Sequence, residues 1–169
     1  QRFKRFLLIQ FKLNLLNNHV VDRYFSGVKK INVINDGKGL DYFIPEKDEI
    51  TPAKLPFTHI AGYCVIVVGA KHFTKQIPQE KLEELCTKIT MPIILIGGKE
   101  DAYLGTQLEA IDKFKIYNAC GSYNINQSAS IIKRAKFVIT PDTGMMHIAA
   151  AFNKRIISVF GSTDKRLGF

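Results

Sequence analysis

The chain reads as an open α/β fold of the Rossmann-like kind, and three observations predict it. From about residue 60, short apolar runs rich in β-branched residues alternate with stretches of helical periodicity. Several of those runs stop at glycine. The interval between successive runs fits one crossover helix, which implies right-handed βαβ units and a parallel sheet.

The elements follow in order. Tyr63-Cys64-Val65-Ile66-Val67-Val68, ending at Gly69, is a buried strand. Pro78 sits where a helix starts, and Leu82, Leu85, Cys86 and Ile89 recur at helical spacing to give one apolar stripe. Ile93 to Ile96 is the next strand, closed by Gly97-Gly98, and a weaker helix covers about Ala102 to Lys113. A short strand near Lys115 to Asn118 precedes a helix capped by Asn126 or Ser128 and running through Ile131, Ile132 and Ala135. Phe137 to Ile139 is a fourth strand, the Ala-rich segment after Thr143 a short helix, and Ile156 to Phe160 a fifth strand.

The first sixty residues are organised differently. Phe6 to Leu16 is apolar with basic interruptions, Val20 to Val28 has helical character, and Asn32 to Pro45 is a loop with two glycines. Pro45, Pro52 and Pro56 punctuate a polar, Lys/Glu-rich stretch that reads as an interdomain linker. The expected division is therefore 1–56, a remnant of one domain plus linker, and 57–169, a Rossmann-like domain.

Composition narrows the function classes. With 169 residues, 46% hydrophobic, the chain can bury a sizeable core, and 23% charged residues with 11% aromatics argue against disorder. The apolar stretches Cys64 to Ala70 and Ile156 to Phe160 fall short of the ~20 residues that span a bilayer. Residues 1–16 faintly imitate a signal peptide, but Lys12 interrupts the apolar run and no small-residue cleavage site follows, so the segment reads as internal sequence. Gln1 at the start suggests a beginning partway through something longer. Three scattered cysteines without a CxxC pair form neither a disulfide framework nor a zinc site, and point to a reducing, cytoplasmic compartment. Of the net charge of +9, most sits in residues 1–38, with eight Lys/Arg against two acids. Nucleic-acid binding is disfavoured all the same, because no aromatic–basic interleaving accompanies that charge. A solvated face, or one that meets another domain or an anionic substrate, explains it as well.

In an open parallel sheet, ligands bind outside the carboxyl ends of the strands, where helix N-termini and loop amides converge. Asp142-Thr143-Gly144 follows a strand and opens a helix, so the amides of Thr143, Gly144 and Met145 offer an anion site, and His147 lies on the first turn beside it. Asp142 would serve equally as a plain N-cap. Lys75, before the helix at Pro78, can set an ammonium beside a diphosphate, with Lys71 and His72 as competitors and a solvated surface lysine as the bland alternative. Glu100, after Gly97-Gly98, can accept hydrogen bonds from ribose hydroxyls, or simply complement a helix dipole. Gly161-Ser162-Thr163 is a fourth polar strand end. The fingerprints GxGxxG after the first strand, GxxxxGK[ST], HExxH and GxSxG are all missing, which demotes dehydrogenase, P-loop ATPase, zinc protease and hydrolase readings.

Taken together, these segments resemble the C-terminal domain of glycosyltransferase family 9, the lipopolysaccharide heptosyltransferase family. The run AKFVITPDTGMMHIAAAFNKRIISVFGSTD, residues 135–164, is similar to that family's strand, DTGxxH, Ala-rich helix, strand and GxTD. GAKHFTKQIP, residues 69–78, and LIGGKED, residues 95–101, agree in order and spacing, and HVVDRYFSGVKKINVINDGKGLDYFIP resembles the segment leading into the family's interdomain linker.

The resemblance implies one half of a GT-B enzyme that takes heptose from an ADP-sugar donor to a lipopolysaccharide or other glycolipid acceptor, with no metal and no further cofactor. It implies that Lys75 contacts donor phosphate, Glu100 the ribose and Asp142 the sugar hydroxyls. Thr143 and Gly144 would hold the diphosphate through their amides, and His147 would orient or neutralise it. It implies a cytoplasmic enzyme, with peripheral contact at the inner membrane face left open. The general base is expected in the N-terminal domain, in a region this chain lacks, and the returning C-terminal helices are expected beyond Phe169. The fragment is accordingly expected to bind donor but not to turn over alone, the alternative being a non-catalytic nucleotide-sugar-binding module or an inactive remnant.

Overall fold

A computed structural model of the chain describes Phe11 and residues 20–161. It falls into two compact units, Gln1–Gly39 with Ser162–Phe169, and Leu40–Gly161. In the first, helix α1 (Val20–Val28) runs into a single 3-10 turn at Lys29–Ile31, which Asn32 ends in the left-handed conformation with φ of 58°. The apolar run Phe6 to Leu16 lies outside the described residues except for Phe11.

The second unit is the α/β domain. Its elements are β1 (Cys64–Val67), α2 (Gln79–Lys88), β2 (Ile93–Ile96), α3 (Ala102–Glu109), β3 (Ile116–Asn118), α4 (Ile125–Arg134), β4 (Phe137–Pro141), α5 (Gly144–Ala151) and β5 (Arg155–Val159). The five strands form one sheet in the order β3-β2-β1-β4-β5, with every pairing parallel. Side chains alternate between the sheet's two faces because the strand period is two. Val65, Val67, Ile94, Ile96 and Val138 pack with α4 and α5 in one core cluster. Cys64, Ile66, Ile93, Leu95 and Ile139 pack with Leu82 and Cys86 of α2 and Leu108 of α3 in the other. Every residue of β1 and β2 is buried, and each aliphatic side chain hidden in this way contributes about 1.5–3 kcal/mol. This burial explains why the central strands read as unbroken apolar runs.

Two features differ from the sequence reading. The compact α/β unit begins at Leu40, so the proline-punctuated stretch up to residue 56 packs as an arm on the domain. Ile50 and Leu55 are buried in the first core cluster, with Tyr42 and Ile44 packed against it. Polar contacts fix the arm to α4: Asp48 accepts from the amides of Asn124 (3.0 Å) and Asn126 (2.9 Å), and the Ile50 amide donates to Ser130 Oγ at 2.8 Å. Single apolar residues among prolines and charges have no periodicity, so their burial leaves no trace in the sequence pattern.

The second difference is the cap of α4, which is Asn124 and not Asn126 or Ser128. Asn124 Oδ1 accepts from the Gln127 amide at 2.9 Å, and Gln127 Oε1 accepts from the Asn124 amide at 3.0 Å, a reciprocal capping box. Asn126 is thereby left to hold Asp48 and the Tyr42 hydroxyl, at 2.8 Å.

Candidate functional site

The strand order places the topological switch between β1 and β4, because β2 and β3 lie to one side of β1 and β4 and β5 to the other. A crevice opens at the carboxyl end of such a switch, where the loops leave in opposite directions. The loops that follow β1 and β4 are those carrying Lys75 and Asp142.

These two residues meet there. Lys75 Nζ donates to Asp142 Oδ2 at 2.8 Å and approaches the Asp142 carbonyl oxygen at 3.4 Å. The Asp142 side chain is only 5% exposed and that of Lys75 24%, so the carboxylate is buried while the ammonium keeps one side toward solvent. A buried carboxylate needs a charged or hydrogen-bonded partner, and Lys75 supplies one. Of the cationic competitors, Lys71 and His72 are exposed.

Asp142 does not cap α5. Thr143 occupies the N-cap position with no side-chain cap bond, and the Asp142 carboxylate turns to Lys75 instead. The first N–H groups of α5 have no intrahelical acceptor, as at any helix start. A β-carbon at Gly144 would meet nothing within 4 Å, so the backbone there stands open to an approaching group. The helix start offers partial positive charge at this strand end, and the Lys75 ammonium, paired with Asp142, keeps a donor turned toward solvent beside it, which suits a phosphate or diphosphate. His147 is exposed, one turn into the same helix.

At the end of β2, Glu100 is exposed in the 3-10 turn Lys99–Asp101, its carboxylate folded back over the α-carbon of Gly98. The next residue, Asp101, points inward. Its Oδ2 accepts the Gly98 N–H at 2.7 Å, and its carboxyl group lies against the α-carbons of Gly69, which follows β1, and Gly97. Burial pushes the Asp101 carboxyl up from the usual carboxylate range, and the neighbouring Glu100 charge adds to this. Asp101 carried no assignment in the sequence reading. Its only signal was its place, three residues beyond the second glycine of a strand end.

Neighbouring loops interlock in the same way around the rim. The positive-φ Gly121 after β3 packs its α-carbon on Lys99, and Gly161 after β5 lies against the Thr74 carbonyl, beside Lys75. The structure thus brings Lys75 and Asp142 into contact and sets Glu100, Thr143, Gly144 and His147 on the same carboxyl-end rim. Ser162 and Thr163 lie outside the described residues. Among the described residues, no group of three or more His, Cys, Asp or Glu side chains forms a metal site, and no helix is long and apolar enough to cross a membrane.

A five-stranded parallel sheet with a cation, a buried carboxylate and an open helix start at its switch point defines a Rossmann-like α/β domain. Comparison with known proteins gives the particular lineage. The model of glycosyltransferase family 9 (heptosyltransferase) matches residues 5–167, and the chain belongs to that family. It is 31% identical over 143 residues to lipooligosaccharide heptosyltransferase 2 of Haemophilus ducreyi, covering 73% of this chain and 40% of that protein. It is 32% identical over 89 residues to the protein of the same name in Haemophilus influenzae, covering 50% of this chain and 25% of that one. The chain therefore spans less than half the length of these curated relatives.

Among solved structures, the glycosyl transferase family 9 protein from Veillonella parvula shares the fold with a TM-score of 0.71 at 19% identity, over 90% of this chain and 46% of that one. The E. coli heptosyltransferase WaaC with ADP gives a TM-score of 0.56 at 25% identity, over 60% of this chain and 34% of that one. The family resemblance and the parallel α/β fold stand as the sequence reading had them.

Proposed function

We propose that this chain is the donor-holding half of an inverting heptosyltransferase that moves heptose from ADP-heptose to a lipopolysaccharide core acceptor. The observation that carries the reading is the Lys75–Asp142 pair at the β1/β4 crevice, beside the open N-terminus of α5. Membership of glycosyltransferase family 9 supports it, as do a relative named for lipooligosaccharide heptosyl transfer and a related structure solved with ADP.

In this reading each group has one task. Lys75 neutralises donor phosphate, and the amides of Thr143 and Gly144 hold the diphosphate. Asp142 accepts from the sugar hydroxyls, Glu100 accepts from the ribose, and His147 orients the phosphate end. During transfer an acceptor hydroxyl oxygen bonds to the anomeric carbon, while the bond from that carbon to the phosphate oxygen breaks. ADP leaves with the electron pair, and a general base takes the hydroxyl proton. Negative charge therefore grows on the departing diphosphate, where Lys75 and the α5 amides already sit, so their stabilisation is greatest in the transition state. These groups meet the electrostatic demand without a metal ion or other cofactor. In this reading the enzyme works in the cytoplasm, the reducing compartment that its free, buried cysteines suit.

Isothermal titration tests this directly. The folded chain should bind ADP and ADP-heptose, and should bind UDP-sugars more weakly. A folded sample with no measurable binding to any of them would favour an inactive remnant and defeat the reading.

A further inference from the structure

Among the described residues, the rim contains one carboxylate, Asp101, that the proposed donor contacts leave unused. Asp101 sits between the ends of three adjacent strands. Its Oδ2 takes the Gly98 amide proton at 2.7 Å, and its carboxyl group fills the space where a side chain on Gly69 or Gly97 would go. Its negative charge also acts on the Cys120 thiol just beyond β3, whose pKa burial and that charge push up to about 12. Among hydrogen bonds to side chains, this is the one that closes the Gly97–Asp101 turn on itself.

A partly buried carboxylate costs free energy unless something compensates it, and one backbone amide is thin compensation. A carboxamide or a small apolar group would cost less in isolation. The shape of the contact explains the choice: a short, planar, acceptor-only group fits between two glycine α-carbons and a backbone N–H. Neither Gly69 nor Gly97 tolerates a β-carbon while Asp101 is there. Asp101 therefore bridges the two, packing against Gly69 of the β1 loop, which leads to Lys75, while accepting the Gly98 amide of the β2 turn, which carries Glu100.

We propose that Asp101 is a positioning residue for the nucleotide: it fixes the distance between the phosphate-side loop of β1 and the ribose-side turn of β2, so that one ligand engages both at once. The inference rests on the donor-site reading above. Its physical basis is effective concentration: two half-sites at a set spacing bind a linked ligand far better than two half-sites that drift, although each half-site is unchanged for a fragment.

This predicts a split that simple loss of stability does not produce. In Asp101→Ala, ADP affinity should fall ~10-fold while inorganic pyrophosphate, which occupies the phosphate side alone, should bind within about twofold of the unsubstituted chain. Asp101→Asn keeps the outline and an acceptor oxygen for the Gly98 amide, and should retain most ADP affinity. Gly69→Ala drives a methyl into the Asp101 carboxylate from the other strand and should reproduce the split, which covers the case in which Asp101→Ala fails to fold. Titration calorimetry on the full chain and these variants, with thermal unfolding to verify folding, reads all of this. ADP binding that is equal in the unsubstituted chain, Asp101→Ala and Gly69→Ala overturns the positioning role and leaves the donor site standing. Parallel loss of ADP and pyrophosphate overturns it too, because the residue would then act on the phosphate side or on the fold as a whole. No ADP binding by the unsubstituted chain overturns both.

Discussion

The two ends of the parallel sheet are built from similar residue types and do opposite things with them. At the amino end, polar groups are turned inward and used up by their neighbours. His59 is 1% exposed: its Nε2 donates to the Ile93 carbonyl at 3.0 Å, leaving Nδ1 to accept from the Thr58 hydroxyl at 3.0 Å. Lys154 donates to the Ala135 carbonyl at 3.0 Å. At the carboxyl end, glycines draw loops close together, while Lys75 keeps one side exposed and α5 opens its first amides outward. A buried histidine at one end and a lysine–aspartate pair at the other both pass as functional residues in a sequence. Only the second leaves capacity for a ligand.

The difference can be broken by substitution, and the largest effect should come from Asp142. In a full-length enzyme carrying this half, Asp142→Ala should lower transfer by ~10²-fold, because Asp142 holds both the donor sugar and the Lys75 ammonium that meets the developing charge. Circular dichroism and thermal unfolding should show the fold retained, and unchanged kinetics would remove Asp142 from the site. Next comes Lys75→Ala, which should weaken ADP binding by about 1.5–3 kcal/mol, or one to two orders of magnitude, by removing a charge-assisted phosphate contact. Titration calorimetry reads that loss, and unaltered affinity contradicts the assignment.

Gly144→Ala sharpens the contrast further. The added methyl meets open space in the protein, so stability should hold or rise by up to ~1 kcal/mol, whereas ADP affinity should fall several-fold because the methyl stands where phosphate approaches. A variant that binds ADP as well as the parent would place the phosphate elsewhere.

The smallest effect belongs to the amino end. Burial holds the His59 pKa below its ordinary value, so the unfolded chain binds a proton there more readily than the folded one does. Stability from this group is complete above the unfolded pKa of about 6.5 and is lost as pH falls through that value toward the lower folded one. Urea unfolding at pH 7.5 and 5.5 should show a decline that His59→Phe flattens, with ADP affinity at pH 7.5 unchanged. A loss of ADP binding in that variant would erase the distinction between the two ends.

Much of this was legible in the sequence because local patterns decide it. Apolar runs such as Cys64–Val67 and Ile93–Ile96 are strands in any context that buries both faces, and glycines after them mark strand ends. Lys75, Asp142 and Gly144 could be nominated because the sheet's winding puts strand ends on one rim. What could not be read was tertiary. Asp142 was a plausible N-cap until the structure showed its carboxylate on Lys75, 67 residues away in sequence. Asp101 lies beside Glu100 and looks no different from it in sequence, yet it turns inward to the Gly98 amide and the α-carbons of Gly69 and Gly97 while Glu100 stays exposed. The arm from Leu40 to residue 56 was hidden because Ile50 and Leu55 are isolated apolar residues in a charged segment. The α4 cap, in contrast, was present in the sequence as Asn124 and Gln127 three residues apart, and two nearer-looking cap residues masked it.

The most direct test is an ADP titration of the isotope-labelled chain followed by backbone amide NMR. Shifts should concentrate at residues 69–75, 97–101, 121 and 143–147, with little change near His59, Gly62, Lys136 and Lys154. Shifts centred on the amino end, or scattered over both ends alike, would contradict the claim that the carboxyl-end rim holds the nucleotide.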